Sequence, residues 1–472
     1  MMMLVVGVAR ADSELPERLT IDEAVRIARR SHPTVRAARR GEDVAQARVH
    51  EGLAPMLPSL TASASYNPQT ANSSLSPAFA AALAGSSSGV SVGVTCRPGE
   101  MGCTNPQPCV VTVNMSTGLP NAGCETPSAP RSTAFNGTLF NYWTGSLALN
   151  WTLFDWGKSW YAYEATKRNR EASAEASGTA LLGVTSDVKT AFYNALAAQS
   201  LVRVDEEAVV TLAKHVTQMQ GFVAAGTKTR VDVAQAESDV ANAELALVKA
   251  RGQLAGAYAA LNAALGVENW RPLTLVAPPE AVAPPIAPGK EAVDVALRAR
   301  PEPRQLALQS RAFEETQRSL RGAWLPALGV SLGPSLAGTS LDSLTTNFSI
   351  AVTLSSNLNP TLIYGQQLEM EATALQLAEQ ARAARLGVEL DVAQATIAID
   401  TARGEIVAAK TALAAAKERR DLADARFLEG VGTTLDLSDA ESNYIAAQGQ
   451  FIQAQLDMGL AAVKLDRAMG TL

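Results

Sequence analysis

The chain of 472 residues contains two copies of one unit, and this duplication constrains its fold more than any other sequence feature. Residues 23–33 (EAVRIARRSHP) match residues 291–301 (EAVDVALRARP) at an offset of 268 positions. Near the end of each copy, residues 231–238 (VDVAQAES) match residues 435–442 (LDLSDAES) at an offset of 204. The duplication therefore predicts two halves of similar structure.

The first copy carries an insertion, because the two offsets, 268 and 204, differ by 64 positions. The spacing of Gly157 and Gly365 places it within residues 66–140. It contains all four cysteines of the chain: Cys96, Cys103, Cys109 and Cys124. Four cysteines permit three disulfide pairings, and their spacing does not choose among them. A zinc site is the alternative, but an oxidising compartment favours disulfides.

Two segments lie outside the copies. Residues 1–11 resemble the remnant of a secretory signal, with an apolar run to Val8 and the small-x-small sequence Ala9-Arg10-Ala11. A disordered terminus is the alternative. Residues 271–290 contain six prolines, which exclude helix and favour an extended connector.

Each half is predicted to end in a long helical hairpin. Residues 131–271 and 361–472 contain no proline and are rich in strong helix formers. Heptad spacing of apolar residues and alanine adds a coiled-coil signal in the last helix of each hairpin; an ordinary helical bundle is the alternative. The predicted helices cover residues 158–222, 231–265, 365–427 and 435–468.

Strands are predicted ahead of each hairpin, where apolar residues alternate with polar ones. The alternating stretches lie near residues 60–66, 147–153, 328–332 and 348–354. Such alternation is the weak signature of barrel strands, and the alternative is a small soluble β-subdomain. Four strands are too few to close a barrel, so they form an open sheet or share a barrel with other chains.

The predicted organisation divides the chain into eight segments. They are the signal remnant (1–11), helices (12–58), two strands with the insertion (59–154), a hairpin (155–270), the connector (271–290), helices (291–325), two strands (326–360) and a hairpin (361–472).

Composition argues against several function classes. The net charge of −6 does not favour a nucleic-acid partner. No apolar run approaches the length of a transmembrane helix. The three histidines, His32, His50 and His215, have no catalytic neighbour in the sequence. We therefore expect no enzyme activity, no cofactor and no metal site.

The order of motifs resembles the TolC-like outer membrane efflux protein family. The motifs are LTIDEAVRIARRSHP, LPSLTASASY, LNWTLFDWGK, RFLEGVGTTLDLSDAES and RAMGTL, spread from Leu19 to Leu472. The resemblance implies a mainly α fold with transmembrane β-strands. In that family three chains together form a 12-stranded barrel, which a long periplasmic α-barrel continues.

By the same resemblance, the chain is a passive exit channel of a tripartite efflux or type I secretion system, spanning from the outer membrane into the periplasm. The implied partners are two further copies, a periplasmic adaptor protein, an inner-membrane pump and outer-membrane lipid. A soluble coiled-coil scaffold and a periplasmic adaptor protein are the alternatives.

The resemblance also implies site residues at the hairpin turns. The predicted pore-gate carboxylates are Asp232, Asp436 and Asp439, although such residues also serve simply as charges at a helix N-terminus. The predicted adaptor-contact residues are Gly226, Thr227, Gly430, Val431, Gly432 and Thr433.

The sequence departs from the family at the latch of a closed entrance, where a Tyr and an Arg are usual. Phe427 and Gly432 occupy these positions, and neither forms a polar latch. The candidate replacements are Arg426, Arg230 and Lys228.

Overall fold

A computed structural model describes residues 18–70, 91–95, 108–113, 120–123, 139–267, 274–278 and 290–471. The chain divides into two compact units. The helical unit comprises Met1–Met56, Asp155–Pro326 and Ser356–Leu472, and the strand unit comprises Leu57–Phe154 and Ala327–Ser355.

The described elements alternate between helices and strands along the chain. In order they are β1 (Arg18–Leu19), α1 (Ile21–Ser31), α2 (Pro33–Leu53), β2 (Ser59–Tyr66), β3 (Gln69–Thr70), β4 (Ser91–Thr95), β5 (Pro108–Val113), β6 (Pro120–Gly123), β7 (Leu139–Phe140), β8 (Trp143–Phe154), α3 (Lys158–Ala224), α4 (Arg230–Leu265), β9 (Thr274–Leu275), α5 (Lys290–Ala299), α6 (Glu302–Gly322), β10 (Ala327–Gly338), β11 (Thr345–Ser355), α7 (Pro360–Leu428) and α8 (Thr434–Met469).

The four long helices lie where the sequence predicted them. Helices α3 and α7 have 67 and 69 residues, so each is about 100 Å long at 1.5 Å per residue. Helices α4 and α8 have 36 residues each. Helix α3 pairs with α4 in the first hairpin, and α7 pairs with α8 in the second.

The heptad positions of α4 and α8 face other helices. In α8 the alanines of one heptad position are buried, and the larger residues of the partner position are buried or half-buried. The buried alanines are Ala447, Ala454, Ala461 and Ala468. Since alanine allows close approach of two helices, this pattern explains how the hairpin packs along its length.

The duplication is visible where each hairpin ends. Gly266 and Gly470, which are 204 positions apart, end α4 and α8 with φ of 71° and 68°. A Cβ on Gly266 would lie 2.8 Å from His32 Cα, and one on Gly470 would lie 3.0 Å from Ala299 Cβ. Both glycines therefore contact the junction of the two short helices that open their own copy.

The strand unit contains an antiparallel sheet with the order β11–β10–β8–β2. The two middle strands come from different copies, and Val330 of β10 is paired with Trp151 of β8. This pairing joins the two copies in one sheet. Strands β2 and β11 have no strand partner on their outer side among the described residues.

The described parts of the insertion also contain strands, which the sequence did not predict. Strands β4, β5 and β6 form an antiparallel three-stranded sheet, and β3 pairs with β7. Cys109 lies in β5. The other three cysteines and residues 1–11 lie outside the described residues, so the predicted disulfides and signal remnant stay predictions.

Candidate functional site

The two hairpin turns have the same backbone design. Turn 1 is residues 225–229, and turn 2 is residues 429–433. Each contains a glycine in the left-handed region, Gly226 with φ of 73° and Gly430 with φ of 78°. In both, a backbone N–H two or three residues beyond the helix bonds to a carbonyl of its last turn. A left-handed glycine of this kind commonly ends a helix.

Two of the three predicted gate carboxylates begin helices. Asp232 Oδ2 accepts hydrogen bonds from the Thr229 N–H at 2.9 Å and the Thr229 hydroxyl at 2.8 Å. Asp436 Oδ2 accepts the same pair of bonds from Thr433, at 3.3 Å and 2.7 Å. These are capping boxes, in which a side chain satisfies a backbone donor at the start of a helix.

Capping changes the acidity of both carboxyl groups. The pKa of Asp232 is lowered, first by the Thr229 backbone and then by the hydroxyls of Thr229 and Thr434. The pKa of Asp436 is lowered mainly by Thr433, with smaller contributions from the Arg426 and Arg419 charges. Both side chains are therefore negatively charged at neutral pH.

The third predicted gate residue, Asp439, is exposed one turn further along α8. Its backbone carbonyl accepts a bond from Asn443 Nδ2 at 2.6 Å. Within the described residues, its carboxylate has no hydrogen-bond or ion-pair partner.

Hydroxyl–carboxylate bonds join the two hairpins beside the turns. The Thr434 hydroxyl of α8 donates to Asp232 Oδ1 of α4 at 2.8 Å. One turn along, the Ser438 hydroxyl donates to Asp239 Oδ2 at 2.6 Å. Asp232 therefore caps its own helix and also binds the second hairpin. The second of these roles does not follow from its repeat relationship to Asp436.

An apolar cluster lies under the turns and takes side chains from both hairpins. This cross-hairpin cluster consists of Met219, Ala236, Phe427 and Leu437, with Val216, Phe222, Val233 and Ala423 at its edge. Phe427 is buried, and its ring meets that of Phe222 edge-on at a centroid distance of 5.7 Å. Burial of such a ring typically contributes several kcal/mol.

Phe427 and Gly432 thus have structural roles of their own. A Cβ on Gly432 would lie 2.9 Å from Phe427 N, so only glycine lets turn 2 fold this closely against the end of α7. Of the candidate latch residues, Lys228 lies with Nζ 5.0 Å from the centre of the Phe427 ring. Arg230 and Arg426 are exposed. Lys228 alone of the three contacts the other hairpin through an aromatic ring.

The structure brings together residues that sequence reasoning missed. His215 of α3, for which the sequence indicates no catalytic neighbour, lies with Nε2 3.6 Å from Glu441 Oε1 of α8. Arg420 of α7 has NH1 4.0 Å from the same oxygen. The sequence signal for Glu441 is its place in the repeated Ala-Glu-Ser motif, but the matching Glu237 is exposed. Nothing in the sequence points to His215.

The sheet of the strand unit has a polar face built from hydroxyls. Ser63 and Ser146 lie 2.8 Å apart, and Ser65 and Thr144 lie 2.7 Å apart. The opposite side of β11 exposes Phe348, Ile350, Val352 and Leu354. Strands β2, β8, β10 and β11 contain no Asp, Glu, Lys or Arg. The sheet therefore offers no charged group across its four strands.

Two further observations concern the described residues alone. None of the helices has a segment both apolar and long enough to cross a membrane. Nowhere in these ranges do three or more His, Cys, Asp or Glu side chains come together in a way that holds a metal ion.

Together, the duplicated hairpins and the strand unit define a channel fold. A profile of the family described as outer membrane efflux protein matches residues 121–267 and 292–471. The chain belongs to this family, as the motif order predicted. Family and fold are those of channel proteins.

Individual relatives agree with this assignment. Protein CyaE of Bordetella pertussis is 26% identical over 69% of this chain and 70% of its own length. Outer membrane efflux protein BepC of Brucella suis is 28% identical over 70% of this chain and 72% of its own length. Each alignment thus covers more than two thirds of both proteins.

A solved structure shares the fold. CusC, whose structures concern folding and transmembrane channel formation, superposes with a TM-score of 0.75 and 16% identity. The match covers 95% of this chain and 92% of CusC. The predicted fold class, mainly α with a β part, is confirmed.

Proposed function

We propose that the chain is the outer-membrane channel of a tripartite efflux or type I secretion system, and that three copies form one passive duct. In this duct the strands of the three copies close a barrel in the membrane, and the long helices form its periplasmic part. A periplasmic adaptor protein and an inner-membrane pump complete the system and supply the energy.

The observation that carries the proposal is the pair of open edges on the four-stranded sheet. Among the described residues, β2 and β11 have no strand partner on their outer sides, and the unpaired backbone groups of such an edge are a liability in water and intolerable in lipid. Pairing β2 of one copy with β11 of the next satisfies both edges. Three copies then supply 12 strands, which is within the range of closed membrane barrels.

The side chains of the sheet support the same arrangement. The exposed apolar residues of β11 suit lipid, and the hydroxyl face on β2 and β8 suits a water-filled interior. The absence of charge in these four strands agrees with a duct that does not bind its cargo. Transport then requires no chemistry by this chain.

Single-particle imaging of the detergent-solubilised protein tests the assembly. We expect threefold particles, and benzoyl-phenylalanine placed at Ile350 should crosslink neighbouring copies into a ladder ending at the trimer. The same photocrosslinker at Ile399, which is buried between helices of one copy, serves as the control. Monomers that need no detergent would support a soluble scaffold instead.

The turn carboxylates are our proposed entrance gate. Three copies of Asp436 and Asp439 place six negative charges around one entrance, with Asp232 beside them, and a ring of carboxylates attracts cations. Replacing Asp436 and Asp439 together by Asn removes these charges and should weaken block by divalent cations in a planar bilayer.

The control for this experiment removes two charges elsewhere on the second hairpin. Asp400→Asn with Asp457→Asn changes α7 and α8 far from the turns and should leave cation block unchanged. Equal block in all three proteins would exclude the gate assignment.

The exposed residues of the turns are our proposed adaptor contacts. Gly226, Thr227, Gly430 and Val431 are all exposed, and Val431 has two thirds of its surface free, at 67%. A photocrosslinker at Thr227 or Val431 should capture a co-expressed adaptor protein, and one at the exposed Asp342 of the strand unit should not. Failure at both turns would exclude the contact.

A further inference from the structure

A buried carboxylate next to the cross-hairpin cluster lies near basic side chains from two helices. The side chain of Glu441 is only 6% exposed and that of His215 only 13%. Glu441 Oε1 lies 3.6 Å from His215 Nε2 and 4.0 Å from Arg420 NH1. His215 belongs to the first hairpin, and Arg420 and Glu441 belong to the second.

The groups around His215 come from every helix packed against it. On α3, Gln218 Oε1 lies 3.1 Å from His215 Nδ1. On α4, Asp239 lines the same small cavity as His215 and Glu441. On α7, Asp424 acts on His215 by its charge, and Asp421 lies 2.7 Å from Arg420 NH2. Arg420 also stacks on Tyr444 of α8, 4.6 Å from the ring centre.

Charge is unbalanced in this cluster when the imidazole is neutral. Of the charged groups named above, the four carboxylates of Asp239, Asp421, Asp424 and Glu441 then outnumber one cation, that of Arg420. Protonation of His215 adds a second cation beside Glu441. Since both side chains are shielded from water, this attraction is screened less than it would be at the surface.

We propose that protonation of His215 tightens the contact between the two hairpins of one chain, so that the hairpins separate more readily as the pH rises. The contact with Glu441 crosses from α3 to α8, and it is therefore made only while the hairpins are together. Titration of this one imidazole changes how strongly they are held.

The acidity of the group agrees with this direction. Glu441 raises the pKa of His215 above its ordinary value, burial lowers it by less, and Gln218 and Asp424 raise it further. A raised folded-state pKa means that the stabilisation is complete below the unfolded value of about 6.5 and is lost as the pH rises through the folded value. The sensitive window therefore begins near the unfolded value and extends above it.

For the duct, the consequence rests on the proposed function. If the entrance opens when the hairpins separate, protonated His215 holds it closed. Loss of that proton as the pH rises makes opening easier. The contact between His215 and Glu441 lies within one chain and needs neither adaptor nor pump.

Distances between the turns test the proposal directly. Genetically encoded spin labels at Thr227 and Val431, on a chain co-expressed with excess unlabelled chain, report the separation of the turns within one copy. We expect the distances to lengthen as the pH rises above the ordinary histidine value of about 6.5. The shift should be absent in His215→Gln, with distances like those of the native protein at high pH.

Three further variants make the outcome decisive. His215→Lys carries a fixed charge and should keep the short distances throughout, while Glu441→Gln should lose the shift even if His215→Gln does not fold. His50→Gln changes an exposed histidine and should behave as the native chain. No shift in the native chain, or an equal shift in His215→Gln, would overturn the proposal. If the distances change with pH while bilayer conductance does not, the proposed entrance gate is refuted but the proposed role of the His215–Glu441 contact is supported.

Discussion

Turn 1 and turn 2 have the same length, a left-handed glycine at the same place and the same Thr–Asp capping box, but other residues in and beside them differ. Two of these differences affect the packing between the hairpins. Val223 and Lys228 in the first hairpin correspond to Phe427 and Gly432 in the second. Phe427 fills the cross-hairpin cluster and Gly432 closes over it, while Lys228 approaches the same ring from the other hairpin. The two turns thus kept the same backbone after the duplication, while their side chains diverged. The second hairpin now provides Phe427, which Lys228 of turn 1 contacts.

The largest expected difference between the turns comes from Phe427→Ala. Loss of a buried aromatic side chain costs about 3–5 kcal/mol, so hydrogen exchange of the amides in and beside turn 2 should accelerate roughly 100-fold or more. Val223→Ala, at the equivalent half-buried position, should cost only about 1 kcal/mol. Equal acceleration in both variants would mean that the turns depend on the cluster to the same degree.

Gly432→Ala should have the next largest effect. The added Cβ meets backbone atoms of Arg426 and Phe427, and forced overpacking typically costs about 1–3 kcal/mol. Protease cleavage at turn 2 should therefore become faster. Gly404→Ala on α7, where no other atom lies within 4 Å, is the control and should slow cleavage or leave it unchanged. An unchanged rate for Gly432→Ala would refute the close packing of turn 2.

Removal of each capping threonine should affect the two turns alike. Thr229→Ala and Thr433→Ala each remove an N-cap hydroxyl, which typically costs about 1 kcal/mol. Hydrogen exchange at the first amides of α4 and α8 should rise by similar factors. A much larger effect at one turn would show that the two capping boxes are not equivalent.

Acid should loosen both turns through the same carboxylates. Because the folded-state pKa of Asp232 and of Asp436 is lowered, their contribution is complete above about pH 4 and is lost as the pH falls through the lowered values. Exchange at both turns, corrected for its intrinsic pH dependence, should increase below about pH 4. Asp436→Asn should remove this dependence from turn 2. Asp232→Asn should remove it from turn 1 and also reduce it at the start of α8, because Asp232 accepts a hydrogen bond from Thr434.

The smallest effect belongs to Lys228. Exposed cation–π contacts contribute about 0.5–1 kcal/mol, so Lys228→Met should slightly loosen turn 1 against Phe427. Lys228→Arg keeps the charge and is the control. No difference between these two variants in the turn-to-turn distance would show that the Lys228 charge adds nothing to the contact.

Periodicity and duplication sufficed to predict the helices and the sheet because they are long-range regularities. The heptads of α8 and the alternation of β10 persist over many residues, so local irregularities do not hide them. The match of 231–238 to 435–442 located both turns for the same reason. The strands within 66–140 escaped prediction, since they are short and lie in a Ser- and Gly-rich segment without regular alternation.

The candidate site was predictable only in part. Asp232, Asp436 and the turn glycines lie in sequence motifs, and their capping boxes are local. His215 and Glu441 are 226 positions apart in the chain and are joined only by packing of α3 against α8, so no local pattern relates them. From the sequence, Phe427 is only a residue that cannot form a polar latch. Its packing role depends on Met219 and Phe222 of the other hairpin, which no local pattern reveals.

The pairing of β8 with β10 has a consequence for how such a chain arose. In the sheet, β8 of the first repeat pairs antiparallel with β10 of the second repeat of the same chain. The proposed seam between chains, β11 with β2, is the same kind of contact between the same kinds of strand. A half-length ancestor with one strand pair therefore needed no new interface, because six such units closed by this contact would form the same ring that we propose for three chains. Gene fusion would have turned half of the seams into covalent neighbours, after which the two turns were free to diverge.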